Sequence, residues 1–352
     1  MSASFSKNVV VLGTGGTIAG LLPDAKGPNA SSGYDAAQLS VSAITDQADL
    51  ASVLKPLAWG LRSQQVAQVD SKDMDRSIWQ ALCSSCLAHI NDPLVTAVVI
   101  THGTDTMAET AYLLQRLFEH AQKPLVITGA MRAHNDPQAD GPQNLRDAVD
   151  FATRLALAGL AGVWLVFDGV VHEPSRVKKV SAQSKHAFHS YEGDLIKERI
   201  DPTRLIGMNR EPAQFDPLQD PMAWKTWVFD PQSDPSSWPV IELLTCHADM
   251  LSSRYLEYLV DLKTNINHKD KRESLSGLVI SGLGSGTWPK VLEVPLRQLL
   301  EQGVWLVLCS QVPWGRAQPA KGALIEHEHF VFSTLDPAKA KIALMLHLMA
   351  SA

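Results

Sequence analysis

Two loops hold most of the residues whose types and spacing could do chemistry. The first is Gly13-Thr14-Gly15-Gly16-Thr17-Ile18-Ala19-Gly20, with four glycines in eight residues. Glycine at that density lets the backbone approach a small ligand closely and turn amide N–H groups inward. A phosphate-binding loop would need Gly-Lys-Ser/Thr at its end, and a dinucleotide loop a third glycine where Ile18 stands. Both patterns fail, which leaves a loop with two threonines, one of which could act as a nucleophile. Taken alone, it reads equally well as a tight turn. The second loop is Thr101-His102-Gly103-Thr104-Asp105-Thr106-Met107-Ala108-Glu109-Thr110. Thr104 or Asp105 would cap the helix that follows, and that accounts for one of them. It does not account for a hydroxyl, a carboxylate and a helix N-terminus gathered together. A helix N-terminus favours a bound carboxylate, while Asp105 can receive an ammonium. The combination suits a zwitterionic amino acid better than a phosphate.

The elements that must position these loops follow from apolar runs. Val9–Leu12, Ala97–Ile100, Leu125–Thr128 and Val163–Phe167 read as strands, the last three near-continuously apolar, as strands covered on both faces should be. Helical spacing marks Asp73–Ile90, Asp105–His120 and Pro142–Leu160. Alternating strands and helices predict a parallel sheet, with ligands at the carboxyl ends of its strands. From about Asp201 to Trp238 the pattern degrades into Pro- and Asp-rich sequence, and alternation then resumes. Val240–Thr245, Gly277–Ser281 and Val304–Cys309 read as strands, and Asp249–Lys263, Pro289–Gln302 and Pro337–Met349 as helices. The reading is therefore α/β: a larger N-terminal domain over 1–210 with a mostly parallel sheet, a linker over 211–238, and a smaller α/β C-terminal domain over 239–352.

Composition narrows the function classes. The 352 residues include 31 Lys+Arg and 37 Asp+Glu, a formal net charge of −6. With no basic block, nothing supports nucleic-acid binding through phosphate neutralisation. No apolar run approaches a membrane-spanning length. After MSASFSK the chain enters its first strand directly, without the pattern of a secretory signal, and four cysteines are too few for a disulfide framework, so a cytoplasmic location is expected. Cys83-Ser-Ser-Cys86 lies in a helical pattern with no second CxxC and reads as buried small side chains rather than zinc ligands. His327-Glu328-His329 reads as alternation on a strand with no third ligand, and His186 and His189 lack a further partner, so no metal site is expected.

The strand–loop segments VVVLGTGGTIAG and VITHGTDTMAETAYLL resemble the two signature segments of bacterial-type L-asparaginases. The resemblance continues through TGAMRAHNDPQADGPQNLRDAV, ISGLGSGTWP and FSTLDPAKAKIALML, and covers most of the chain. It implies a flavodoxin-like N-terminal domain, a smaller α/β domain, homotetramers of tight dimers, no cofactor, and hydrolysis of the side-chain amide of L-asparagine to an acid and ammonia. Position by position, Thr17 matches the family's nucleophile and Tyr34 the tyrosine of its lid. Thr104, Asp105 and Lys179 match a Thr–Lys–Asp triad; Lys178 would point the other way on an extended segment. Ser71 matches the residue that holds the substrate α-carboxylate, and Asp105 receives the α-ammonium. Gly16 lies in the loop whose amides would meet an oxyanion. Lys72 stands where many members have Gln and is placed beside the α-carboxylate or in solvent. Thr287 matches an Asn that enters the site across a subunit contact. Glu326 and Glu328 are out of register with the acidic residue that secreted members bring from a neighbouring subunit.

The chemistry of these roles is consistent. A threonine hydroxyl attacks only when something takes its proton, and a lysine can be that base only if burial lowers its pKa. The residues leave open which threonine attacks first, and whether Tyr34 or Lys179 is the working base. Alternative readings are a glutaminase–asparaginase of broader specificity, an ammonia-producing amidotransferase subunit, and a non-catalytic amino-acid binder.

Overall fold

The computed structural model describes residues 7–23, 35–190, 229–250, 254–264, 274–312, 317–318 and 323–351. The chain divides into two compact units, Met1–Met208 and Asn209–Ala352. In the first, one sheet contains β1 (Asn8–Gly15), β2 (Gly60–Val69), β3 (Val95–Thr101), β4 (Pro124–Thr128), β5 (Gly162–Phe167) and β6 (Val170–His172). Their order is β2-β1-β3-β4-β5-β6. The first five run parallel, and β6 is antiparallel to β5. The hairpin between them turns on Asp168 (φ 51°) and Gly169 (φ 73°), both left-handed as a type I′ turn requires.

Among the described residues, five helices flank this sheet: α1 (Val41–Gln47), α2 (Ala51–Leu54), α3 (Arg76–Asn91), α4 (Met107–Leu117) and α5 (Gly141–Leu157). On one face, Val41 and Ile44 of α1 and Leu145, Ala148 and Phe151 of α5 pack with Val9, Val11, Ala97, Val99, Val126 and Val166. Side chains alternate along a strand, so Val10, Leu12, Val98 and Ile100 face the other way. They are buried too, on the side where α3 and α4 bring Leu82, Cys83, Met107 and Leu114. Burial on both faces is why these strands are apolar throughout. The order 2-1-3-4-5 is that of flavodoxin-like sheets, and it reverses between β1 and β3, the place where such sheets bind ligands.

A separate antiparallel ribbon of β7 (Val177–Lys179) and β8 (Phe188–Ser190) follows. The second unit has an all-parallel sheet of β9 (Val240–Thr245), β10 (Leu275–Gly282), β11 (Trp305–Ser310) and β12 (Phe330–Phe332), in the order β12-β11-β10-β9. Helices α6 (Arg254–Thr264), α7 (Glu293–Glu301) and α8 (Pro337–Ser351) complete it. Its core includes Leu244, Leu256, Leu278, Ile280, Leu296, Leu299, Leu306 and Leu308.

The structure corrects two expectations. His327-Glu328-His329 is a turn, since β12 begins only at Phe330, so strand alternation does not govern those side chains. Asp105 does not open a helix: α4 starts at Met107 with Thr106 as its cap. Cys83 and Cys86 do lie on α3, where burial pushes both thiols up and away from reactivity. Residues 211–228 of the expected linker lie outside the described residues. The stretch 229–238 is irregular apart from a short turn at Pro235–Ser237, yet Phe229 and Trp238 at its ends are buried.

Candidate active site

The loops after β1 and β3 touch. Gly16 has φ +78°, and a Cβ built there would collide with the backbone N and Cα of Gly103. Only glycine fits both the dihedral and the space. Thr17 and Thr104, each one residue beyond a touching glycine, are thereby brought to one end of the sheet. Thr17 opens a short 3-10 turn, Thr17–Ala19, and is buried. The turn is tied down by its neighbours. Ala37 N–H donates to Gly16 O, Gln38 and Leu39 N–H to Ala19 O, and His134 N–H to Gly20 O. The loop's other threonine is occupied elsewhere: Thr14 Oγ1 donates to Thr101 O at 3.0 Å, a buried stitch between β1 and β3.

Beyond β3, capping does not consume the polar residues. Thr106 makes no side-chain cap bond, and its hydroxyl donates to Ser71 O at 2.8 Å. Asp105 N–H donates to Ser71 Oγ at 3.2 Å. Thr104 and Asp105 side chains are therefore left to Lys179, whose Nζ donates to Thr104 Oγ1 at 2.8 Å and to Asp105 Oδ1 at 2.7 Å. Thr104 is buried, whereas 59% of the Asp105 side chain is exposed, against 18% for Lys179. The triad thus spans from a closed interior to an open carboxylate.

Ser71 begins a single 3-10 turn, Ser71–Asp73, with its own side chain inward and only 2% exposed. Lys72 is not brought into the cluster. It pairs with adjacent Asp73, whose carboxylate raises its pKa, and 63% of its side chain is exposed. One step around so tight a turn carries a side chain from the site to solvent. Tyr34 lies outside the described residues. Thr287 belongs to the second unit, where Thr287 Oγ1 donates to Leu283 O at 3.2 Å and closes a local turn.

Three residues not singled out from sequence shape this region. His102 is fully buried, with Nδ1 2.7 Å from Gly103 O and, among the described residues, no hydrogen-bond partner at Nε2. Burial pushes its pKa down to about 4, against a smaller upward effect of the Gly103 carbonyl. Asp140, just before α5, accepts from the N–H groups of Met131 at 3.0 Å and Arg132 at 2.9 Å. Asn144 adds a bond from its amide to Gly129 O at 2.9 Å, so the loop after β4 is held from two sides. Their place inside the quoted motifs was the available signal, but burial and partners are tertiary facts.

Comparison with known proteins bears directly on this arrangement. The family profile described as "Asparaginase, N-terminal" matches residues 8–210, and "Glutaminase/Asparaginase C-terminal domain" matches residues 241–352. The chain belongs to the asparaginase family. It is a hydrolase acting on amides. This asparaginase-family chain is 30% identical to L-asparaginase 2 of Escherichia coli (strain K12) over 346 residues, 97% of the chain and 88% of that relative. It is 29% identical to a glutaminase-asparaginase of Pseudomonas aeruginosa over 340 residues, 95% of the chain and 84% of the relative. A crystal structure of a probable cytoplasmic L-asparaginase from Campylobacter jejuni matches with a TM-score of 0.73 at 25% identity, covering 97% of this chain and 95% of that one. The α/β architecture expected from the sequence is thus the one found. The mostly parallel six-stranded sheet and the separate four-stranded sheet both belong to it.

Proposed function

We propose that the enzyme hydrolyses L-asparagine to L-aspartate and ammonia, with Thr17 as nucleophile and a covalent β-aspartyl ester as intermediate. The observation that carries this reading is the Lys179 Nζ shared between Thr104 Oγ1 and Asp105 Oδ1, at 2.8 and 2.7 Å. Thr104 and Asp105 stand on the loop that touches the Thr17 loop through Gly16 and Gly103. Ser71 Oγ already accepts from Asp105 N–H, so its own proton is left for the substrate α-carboxylate. Asp105 keeps its second oxygen for the α-ammonium.

Thr17 Oγ then bonds to the carboxamide carbon while its proton leaves through Tyr34 or through the Thr104–Lys179–Asp105 chain. The Thr17 N–H meets the oxyanion, since the Gly16 N–H already donates to Val69 O at 2.8 Å; one such donor is typically worth about 10²–10³ in rate. The C–N bond breaks, nitrogen departs as ammonia with the transferred proton, and water hydrolyses the ester to release aspartate and restore Thr17. Lys72 has no part in this scheme. The relative named glutaminase-asparaginase supports a second reading, in which L-glutamine is turned over as well.

Ammonia release from L-asparagine, L-glutamine and D-asparagine tests the proposal. Release is expected with L-asparagine. Thr17→Ala and Lys179→Ala should each lower turnover by about 10³-fold or more while the protein stays folded. Full activity in either variant overturns the mechanism, and equal rates with L-glutamine select the broader specificity. Wild-type protein that binds but releases no ammonia is a binder only. The same reading includes a cytoplasmic homotetramer in which Thr287 serves a neighbouring subunit's site. A monomer by light scattering overturns that part.

A further inference from the structure

Lys179 reaches the candidate site from the β7–β8 ribbon, which forms its own two-stranded sheet and shares no backbone ladder with β6 among the described residues. Side chains must therefore place it. In the ribbon Val177 lies opposite Ser190 and Lys179 opposite Phe188, while Lys178 lies opposite His189. Directly opposed residues share a face, so Val177, Lys179, Phe188 and Ser190 form one face and Lys178 and His189 the other.

Three members of the first face grip the body of the unit. Phe188 meets Phe167, at the end of β5, edge to face with ring centroids 4.9 Å apart. Ser190 Oγ lies 2.8 Å from Nδ1 of His172, the last residue of β6, and both residues are buried at 0–1% exposure. Lys179 meets Thr104 and Asp105. The connection from His172 to β7 is short and braced. Glu173 accepts from Ser175 Oγ at 3.1 Å and pairs with Arg176 at 3.4 Å, and its carbonyl accepts from Val177 N–H.

The contacts to Phe167 and to His172 differ in kind. A ring-on-ring contact tolerates sliding, because apolar attraction has little direction. A buried hydrogen bond weakens steeply with distance and angle, so it selects one register. We infer that the His172–Ser190 hydrogen bond sets the register of the ribbon against the sheet, which makes His172 a positioning residue for Lys179. The inference rests on the reading of Lys179 as part of the catalytic machinery. An error of about 1 Å in such a group can cost on the order of 10²-fold in rate.

Steady-state kinetics of His172→Phe, Ser190→Ala, their double variant and His172→Asn test this, with Lys179→Ala as reference and thermal unfolding alongside. His172→Phe and Ser190→Ala should each lower kcat for L-asparagine by about 10-fold or more, with KM within about 3-fold. The double variant should be no worse than the poorer single one, because both remove one bond. Asn can offer an amide near the position of Nδ1, so His172→Asn should recover most of kcat. If His172→Phe does not fold, Ser190→Ala and His172→Asn decide. Unchanged kcat in both Phe and Ala variants, with Lys179→Ala dead, overturns the positioning role and leaves the catalytic reading standing. Full activity in Lys179→Ala overturns the catalytic reading itself, and this inference with it.

Discussion

Lowering the pH from 7 to 4 should weaken this protein through His102. In an unfolded chain the imidazole titrates near pH 6.5, but in the fold burial holds it neutral down to about 4. Between those values the unfolded chain binds a proton that the folded one refuses. The contribution is fully present above the unfolded pKa and is lost as the pH falls toward the folded one. At about 1.4 kcal/mol per pH unit across that window, the loss reaches about 3 kcal/mol. That is a large part of the roughly 5–15 kcal/mol that holds a typical domain together. The assay is urea unfolding at pH 7 and pH 4, followed by circular dichroism, for wild type and His102→Gln. His89, His134 and His347 are also held below their ordinary range by burial, but they are present in both proteins and cancel in the difference. The variant should lose about 3 kcal/mol less than wild type between the two pH values, whatever its stability at pH 7. Equal losses would show that His102 takes up its proton inside the fold, and the burial argument would be wrong.

The two threonines of the first loop should separate cleanly. Thr14→Val removes the bond to Thr101 O and should cost about 1–3 kcal/mol in urea unfolding with kcat retained, the reverse of Thr17→Ala; a dead but stable Thr14→Val would reassign the nucleophile. Gly16→Ala drives a methyl group into Gly103 at a left-handed φ, with strain of about 1–3 kcal/mol, and should lose ammonia release while remaining folded; normal kinetics would refute the loop contact.

Much of the first sheet is legible in the sequence because β1, β3, β4 and β5 are buried on both faces and had to be apolar throughout. Of the strands not legible in the sequence, β2 is the longest. It lies at the sheet edge with Ser63, Gln64 and Gln65 exposed, so its polar outer residues mask it. The β7–β8 ribbon was missed for a related reason, since three-residue strands carry no period to detect. The Asp168-Gly169 pair that turns β5 into β6 was a usable signal.

At the candidate site, residue types and spacing were enough to single out the two threonines of the first loop, Thr104 and Asp105, because glycine-dense loops and clustered polar groups at strand ends have few structural uses; the choice of Thr17, and Ser71 and Lys179, came from the family resemblance. Tertiary structure decided what each could do. Asp105 and Thr104 are released from capping because Thr106 begins the helix, and Lys72 faces solvent because a single tight turn separates it from Ser71. Lys179 meets its partners only because a ribbon 74 residues along the chain docks against the sheet end. Sequence by itself determined which groups are present and which strand ends carry them. Distance, burial and the choice of hydrogen-bond partner depend on segments far apart in the chain, and only folding brings those together.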